Sequence, residues 1–332
     1  MKGDGMGQYV IGLDAGGTKS HLAVFDLSCQ LKRFSHWGPL NHESLPGSFT
    51  QLEEELTRFV KGELDAVGIC PGQTAYAVFG MAGVDNRRQH AVISDIIRRI
   101  GLRDFTLCND AFLSVPAGIP SGIGVCANNG TGYTVVGVNE AGRMLQVGGI
   151  GPLSDDRGGG GYIAERMASA VYNFLFRGAE QTILAEMMFD KLGVSDKWDY
   201  VDTLSQKVTD EEISLSSWNR FVFEAANQKD RVACGILRDV AASYADSIVC
   251  VIHELGFPPD RAVSVVLAGS VFVKGESPLL IDTLREKVEA GSPVKQIMYT
   301  LLKEPPVAGA VIWALRTLGV SGNVMDKVCS QF

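Results

Sequence analysis

Hydrophobic and polar positions along the chain follow two periods, one typical of strands and the other typical of helices. Short apolar runs rich in β-branched and aromatic residues predict strands at 8–14, 20–26, 30–36, 74–80, 104–108, 122–127, 133–138, 143–147, 262–269 and 295–299. Apolar residues three and four positions apart predict helices at 87–101, 161–176, 233–255, 277–289 and 306–318, and another that begins at Ser48. Ser48 and Gln51 have the spacing of a capping box. Residues from about 178 to 230 have mixed helical character and predict an insertion.

This order of elements occurs twice along the chain. Each half begins with three strands and continues with a helix, a strand, a second helix and a further strand. The segment "GGTKSHLAVFD" from Gly16 lies over "NGTGYTVVGVN" from Asn129, so that Thr18 and Thr131 occupy equivalent turns. The pattern predicts an α/β protein made of two duplicated domains, with a nucleotide between two facing hairpins.

The first of these hairpins lies within "GLDAGGTKSHLAVFD", residues 12–26, which is close to the phosphate-binding pattern G-x-x-x-x-G-K-[ST]. Thr18 separates Gly17 from Lys19 and breaks that pattern. A P-loop must also run from a strand into a helix. The apolar run after Lys19 instead predicts a second strand, and we expect a hairpin and no P-loop here.

Composition narrows the class of protein. The chain has 332 residues, 46% of them hydrophobic, which is enough for two cores. A net charge of −8 argues against a nucleic-acid partner. The polar start "MKGDGMGQ" and the glycines and prolines in the uncharged run 111–139 argue against a leader and a membrane span. Seven scattered cysteines without a C-x-x-C pair are typical of reduced core thiols, so we expect a cytoplasmic protein without a zinc or iron–sulfur site.

Several motifs, taken in order, resemble those of the actin-like ATPase superfamily. The closest resemblance is to N-acetylglucosamine kinase and its relatives in the BadF/BadG/BcrA/BcrD ATPase family. It covers nearly the whole chain and is weakest across 178–230. Its carriers are "GLDAGGTKS" from residue 12, "NH" at 41–42, "CNDA" at 108–111, "NNGTG" at 128–132, "GGIGPLSDDRGGGGYIAERMA" at 148–168, "VLAGSVF" at 266–272 and "PPVAGAVIWAL" at 305–315.

The resemblance implies two ribonuclease H-like domains of the actin and hexokinase type, with a nucleotide cleft between them. The first domain would cover 1–117 and be rejoined by the tail 319–332. The second would cover 118–318 and contain the helical insertion. ATP and Mg²⁺ are the implied cofactors, and we also expect a homodimer.

Phosphoryl transfer needs groups that position and neutralise phosphates. Backbone amides of two Gly-Thr turns can bind phosphate oxygens from opposite sides, and a glycine at the end of a buried strand lets adenosine approach. The candidate nucleotide residues are Gly16, Gly17, Thr18, Lys19, Gly130, Thr131, Gly132, Gly269 and Ser270. Asp14, just before the first turn, is the candidate Mg²⁺ ligand, and its alternative role is a hairpin cap. The alternative for Lys19 is a solvated side chain. Gly309 lies near the start of the last predicted helix, and its alternative role is helix packing.

Asp110 follows a predicted strand and has two possible roles. By position it is a helix N-cap or a general base that accepts a proton from an incoming hydroxyl. The resemblance favours the base, because related sugar kinases place it in the "NDA" motif.

The resemblance also assigns Asn41, Gly149 and Asp156, together with Asp110, to the sugar. The relatives have the sequence G-D-E-G around the carboxylate that matches Asp156, whereas residues 155–158 here are Asp-Asp-Arg-Gly. Arg157 therefore has three possible roles: an ion pair with Asp155, a solvated loop charge, or recognition of an anionic substituent such as that of N-acetylmuramic acid.

The resemblance implies an ATP-dependent amino-sugar kinase that converts N-acetylglucosamine to N-acetylglucosamine 6-phosphate. The alternatives are a kinase for glucosamine or N-acetylmuramic acid, and an ATPase activator subunit of a dehydratase or reductase. The activator would need cysteines that bridge an iron–sulfur cluster across a dimer.

Overall fold

The computed structural model describes residues 8–332, and the expected lack of a leader falls on residues outside that range. The first half of the chain forms a five-stranded sheet of order β3-β2-β1-β4-β5. Its strands are β1 (Tyr9–Ala15), β2 (Ser20–Asp26), β3 (Leu31–Trp37), β4 (Thr74–Met81) and β5 (Phe105–Cys108). β1 pairs antiparallel with β2, which confirms the hairpin, whereas β4 and β5 continue the sheet in parallel.

The second half repeats this sheet. Its strands are β6 (Gly124–Asn129), β7 (Tyr133–Val138), β8 (Met144–Gly148), β9 (Val263–Ala268) and β10 (Ile297–Leu301). Their order is β10-β9-β6-β7-β8, and β6 pairs antiparallel with β7 and parallel with β9. Two mixed sheets of equivalent topology confirm the predicted α/β class, the duplication and each predicted strand.

Helices flank both sheets. Those of the first half are α1 (Ser48–Asp65), α2 (Arg87–Ile100) and α3 (Ser114–Gly118), the last preceded by a 3₁₀ turn at Asp110–Leu113. The second half contains α4 (Gly159–Arg177), α5 (Leu184–Leu192), α6 (Lys197–Thr209), α7 (Arg220–Asn227), α8 (Arg231–Glu254), α9 (Ser270–Lys274), α10 (Pro278–Gly291), α11 (Pro306–Thr317) and α12 (Val324–Cys329). The expected insertion is therefore helical and contains α5, α6 and α7.

The start of α1 differs from the prediction. The N-cap is Gly47, no side chain caps this helix start, and Ser48 has a positive φ of 49°. The Gln51 side chain still accepts a backbone hydrogen bond, but its donor is Gly47 N, at 3.0 Å, and not Ser48. The full reciprocal box occurs at α2 instead, between Asn86 and Gln89.

α3 of the first half and α11 of the second half each pack against the sheet of the other half. α11 crosses β1, where a Cβ on Gly12 would stand 2.8 Å from Val311 Cγ2. α3 lies against β9, where a Cβ on Gly118 would stand 2.7 Å from Val266 Cγ2. The two helices meet at Gly309, where a Cβ would stand 1.9 Å from the Leu113 carbonyl oxygen.

The carboxyl-terminal tail returns to the first half. Leu31 N donates to Gln331 Oε1 at 2.8 Å, and Gln331 Nε2 donates to the Cys29 carbonyl at 2.7 Å. The Phe332 ring packs edge-on against Phe34 at a centroid distance of 5.1 Å. These contacts fit the expected return of the tail, while the domain boundaries stay a prediction.

Buried hydrophobic residues form three clusters, one in each half and one between the two sheets. No helix within residues 8–332 has both the length and the apolar character that a bilayer span requires. All seven cysteines are free, and the four buried ones are Cys29, Cys108, Cys126 and Cys234. Cys70 and Cys250 are exposed, so the expectation that the cysteines are core thiols is wrong for these two.

Candidate active site

Three aspartates stand at one edge of the first sheet. Asp14 lies near the end of β1, Asp85 follows β4, and Asp110 follows β5. These strands are parallel, so their carboxyl ends meet at the same edge, where α/β proteins bind ligands. The negative charges of Asp14 and Asp85 both act on Asp110.

Asp110 is the most strongly perturbed carboxyl of this edge. Burial, reinforced by the charges of Asp14 and Asp85, raises the pKa of Asp110 from 3.8 to about 7. The helix-cap alternative is wrong, because Asn109 is the N-cap of the turn and its Oδ1 accepts from Ala111 N at 3.0 Å. Asp110, the residue after that cap, is partly buried at the end of β5, with a pKa suited to a general base near neutral pH.

Asp85 was not among the expected site residues. Its Oδ1 accepts hydrogen bonds from Asn109 Nδ2 at 2.8 Å and from Gln146 Nε2, on β8, at 2.7 Å. Burial and the nearby Glu43 charge raise the pKa of Asp85, although these two hydrogen bonds oppose the rise. Its place after a buried parallel strand, like that of Asp110, is the sequence signal that could have identified it.

Asn41 and His42 lie beside the first hairpin turn. A Cβ on Gly17 would stand 4.0 Å from Asn41 Nδ2, and Asn41 Oδ1 accepts from Glu43 N at 3.0 Å. The His42 ring stacks on Phe49 at a centroid distance of 4.0 Å. Burial lowers the pKa of His42, so a neutral imidazole supports the loop that presents Asn41.

Residues 148–158 form a glycine-rich loop that Asp156 holds together. Asp156 Oδ2 accepts from Gly149 N at 3.0 Å and Gly151 N at 2.8 Å, and its Oδ1 accepts from Ser154 Oγ at 2.7 Å. Asp155 has a left-handed φ of 53°, a conformation that glycine adopts freely. The glycine of the relatives' G-D-E-G pattern fits this position, which supports the alignment of Asp156.

Arg157 is exposed and paired. Its guanidinium lies 2.7 Å from Asp155 Oδ2, and that hydrogen bond, with the charges of Asp155 and Asp239, raises the pKa of Arg157. It lines a cavity of about 310 Å³ that also contains Asp239 and Asp246. Acidic neighbours neutralise this arginine, in agreement with the ion-pair alternative.

The two hairpin turns and the end of β9 contain the candidate nucleotide residues. Gly16 N donates to the Lys19 carbonyl at 3.0 Å and closes the first turn, in which Gly17, Thr18 and Lys19 are exposed. Gly130 N donates to the Gly132 carbonyl at 3.3 Å in the second turn. Thr131, Gly132 and Ser270 are also exposed, so their backbone groups are accessible to a ligand.

Gly269 is required by the protein's own packing. It has a φ of 87°, and a Cβ there would stand 2.4 Å from the Asn129 carbonyl oxygen. The expected open face of Gly269 is therefore filled by the second turn. Asn129 Oδ1 accepts from Gly159 N at 2.7 Å, so the turn also meets the start of α4.

Asp14 is the candidate metal ligand. Its Oδ2 lies 3.6 Å from Nδ1 of His21, its cross-strand neighbour, and its side chain is 18% exposed. The described part of the chain contains no cluster of three or more His, Cys, Asp or Glu side chains suited to a metal ion. A single accessible carboxylate fits Mg²⁺, which takes its other ligands from phosphates and water.

Comparisons with known proteins identify the family of the chain. The family model described as the BadF/BadG/BcrA/BcrD ATPase family matches residues 11–314. The N-acetylmuramic acid/N-acetylglucosamine kinase of Clostridium acetobutylicum is 28% identical over 309 residues, which cover 92% of this chain and 98% of the relative.

Solved structures of sugar kinases have the same fold. A candidate N-acetylglucosamine kinase from Chromobacterium violaceum aligns with a TM-score of 0.63 at 17% identity, covering 92% of this chain and 98% of that one. Schistosoma mansoni hexokinase complexed with glucose aligns with a TM-score of 0.57 at 15% identity, covering 94% and 86%. The fold is thus the two-domain fold of the hexokinases, and the chain belongs to the BadF/BadG/BcrA/BcrD ATPase family.

Proposed function

We propose that the protein is an ATP-dependent kinase that transfers a phosphoryl group to the 6-hydroxyl of N-acetylglucosamine. The observation that carries the proposal is the Asp110 carboxyl, which lies with Asp14 and Asp85 at one edge of the first sheet and has a pKa of about 7. The curated relative is named as a kinase for N-acetylglucosamine and N-acetylmuramic acid, which supports an amino-sugar acceptor.

Asp110 acts as general base in the proposed reaction. It accepts the proton of the sugar hydroxyl as that oxygen attacks the γ-phosphorus of ATP. The new oxygen–phosphorus bond forms while the bond from the γ-phosphorus to the β,γ-bridging oxygen breaks, and ADP leaves with that bonding pair. The proton on Asp110 then passes to solvent, and the products are the sugar phosphate and ADP.

The two hairpin turns position the nucleotide in this scheme. Their exposed amides at Gly17, Thr18, Thr131 and Gly132 are donors for phosphate oxygens. Mg²⁺, when bound, would neutralise charge on the β- and γ-phosphates. Asp14 would hold the ion, directly or through water.

The sugar is held by Asn41 and the glycine-rich loop. Asn41 Nδ2 is the donor available to a sugar oxygen, because its Oδ1 is already used by Glu43 N. Gly149 allows close approach, and Asp156 acts both as the brace of the loop and as an acceptor for a sugar hydroxyl. A site of this polarity discriminates strongly against sugars that lack the matching groups.

N-acetylmuramic acid is the second candidate acceptor, favoured by the name of the curated relative. Its carboxylate would need a free cation. Arg157 does not provide one, because it is paired with Asp155 and lies close to Asp239. We therefore place N-acetylglucosamine first and glucosamine, which lacks the acetyl group, after both.

The proposal also includes a homodimer and a cytoplasmic location, and light scattering tests the dimer.

The competing activator function requires an iron–sulfur cluster shared between subunits. The two exposed cysteines, Cys70 and Cys250, lie in different halves of the chain. An absorption spectrum of the anaerobic protein separates the two functions, because an iron–sulfur cluster absorbs in the visible range.

A coupled ADP assay tests the kinase proposal. ADP should form from ATP only when Mg²⁺ and an amino sugar are both present, and N-acetylglucosamine should give the highest kcat/KM of a panel with N-acetylmuramic acid, glucosamine and glucose. ATP hydrolysis at full rate without sugar would contradict a kinase. A higher kcat/KM for N-acetylmuramic acid would reverse the order of the two acceptors.

A further inference from the structure

Asp85 and Gln146 join the two halves of the chain beside the glycine-rich loop. Asp85 precedes α2 in the first half, and Gln146 lies on β8 in the second. Gln146 Nε2 donates to Asp85 Oδ1 at 2.7 Å and to the Gly148 carbonyl at 3.2 Å. The same Asp85 oxygen accepts from Asn109 Nδ2 at 2.8 Å. A hydrogen-bonded bridge therefore runs from the loop, through Asp85, to the residue before Asp110.

Both amide side chains of the bridge are fixed at two points. Asn109 also accepts from Ala111 N through Oδ1, so rotation of its amide would break bonds at both ends. Gly149 lies against the bridge, because a Cβ there would stand 3.1 Å from Asp85 Oδ1. The loop, the bridge and the turn that contains Asp110 thus form one connected unit.

The second oxygen of Asp85 is left open. No donor within residues 8–332 bonds to Asp85 Oδ2, and this oxygen is not fully buried. Glu43 and His42 act on the Asp85 charge, and Asp85 in turn acts on Asp110. A half-buried carboxylate is costly unless its hydrogen bonds compensate, and a bond across a cleft forms only when the two walls are close.

We propose that Asp85 is a positioning residue that couples closure of the cleft to the alignment of Asp110. The proposal rests on the proposed phosphoryl transfer. When β8 approaches the first half, Gln146 reaches Asp85, and the same oxygen orients Asn109 and the turn that follows. Asp110 is then aligned with the sugar hydroxyl only in the closed arrangement, which limits transfer of the phosphoryl group to water.

Three variants separate the parts of the bridge. Asp85→Ala removes the shared acceptor, Gln146→Leu removes the donor from the second half, and Asp85→Asn keeps an oxygen that can accept both bonds. Asp95→Asn is the control, because Asp95 is an exposed aspartate on α2 whose partner is Arg98.

At pH 8, where Asp110 is ionised, Asp85→Ala and Gln146→Leu should each lower kcat by about 10- to 100-fold, since small misplacements of a reacting group have effects of this size. KM for ATP should change less than threefold or so, and Asp85→Asn should restore most of the lost kcat. The double variant should be no slower than Asp85→Ala, because residues of one bridge are not additive. Additive losses, or equal kcat in Asp85→Asn and Asp85→Ala, would overturn the proposal.

Hydrogen exchange gives a readout that needs no substrate. In Asp85→Ala, amides in both 109–118 and 146–156 should exchange faster, whereas Asp95→Asn should leave both ranges unchanged. Faster exchange in one range alone, or in neither, would show that Asp85 does not connect them. If the parent protein phosphorylates no amino sugar, the proposed function fails, and the exchange data still decide whether the bridge exists.

Discussion

Asp110→Asn should strongly lower kcat and at the same time stabilise the folded protein at pH 8. The change removes a buried ionisable group and preserves its shape. The pKa of Asp110 rises from 3.8 to about 7, and each pK unit corresponds to about 1.4 kcal/mol, so the ionised carboxylate costs the folded state about 4 kcal/mol at pH 8. Because Asp110 is only partly buried by its accessible surface, solvent screens part of this cost, and we expect about 2–4 kcal/mol.

The sign of the effect follows from proton binding. Between pH 3.8 and about 7 the folded protein holds the Asp110 proton more tightly than the unfolded chain does. The free energy of unfolding therefore falls as pH rises through this window. Asp110→Asn removes this fall. The variant's free energy of unfolding should therefore exceed that of the parent most at pH 8, and the difference at pH 5 should be less than about half as large.

Urea unfolding at pH 5 and pH 8 measures this difference, with Asp104→Asn as the control, since Asp104 is exposed before β5. In the same variants, kcat should fall about 10²- to 10⁴-fold in Asp110→Asn with KM values held. The parent's kcat should rise about tenfold from pH 6 to pH 8, as the fraction of ionised base increases. Retained turnover, or an equal stability difference at both pH values, would refute a buried catalytic carboxylate.

Three further outcomes are expected. Asp14→Asn should raise the Mg²⁺ concentration for half-maximal activity about tenfold, because one of the few protein ligands is lost; an unchanged Mg²⁺ titration would contradict its role. Gly309→Ala should destabilise the protein by about 1–3 kcal/mol or more, since its Cβ would stand 1.9 Å from the Leu113 carbonyl oxygen, whereas Gly235→Ala on α8, with nothing within 4 Å, should be neutral or stabilising in urea unfolding. Arg157→Ala should change kcat/KM for N-acetylglucosamine and N-acetylmuramic acid equally, and a loss confined to the acidic sugar would restore the anion-recognition hypothesis.

The sheets were predictable because their central strands are continuous apolar runs. β1 and β6 are buried throughout most of their length, and the Gly-Thr turns that follow them are marked by composition. The repeated order of elements was predictable for the same reason, because both halves contain these buried strands and Gly-Thr turns. Local signals failed where the backbone departs from a common conformation, as at Ser48, whose positive φ no nearest-neighbour pattern predicts.

The candidate site was only half accessible to sequence reasoning. Asp110 was found through its motif, yet the reason for its pKa, burial beside Asp14 and Asp85, depends on strands far apart in the chain. Asp85 and Gln146 were missed because their hydrogen bond joins residues 61 positions apart and belongs to no short motif. Long-range polar contacts of this kind leave no local periodicity.

The exchange of helices between the halves limits how the chain can be divided. A fragment that ends after α3 would expose the apolar side of that helix, and a fragment that begins at β6 would do the same for α11. Neither half is therefore a transplantable module, although the two sheets have equivalent topology. Two such fragments made together in one cell should instead complement each other and assemble without a covalent link. A break in the short loop between α3 and β6 would then be tolerated by the assembled pair but not by either piece alone.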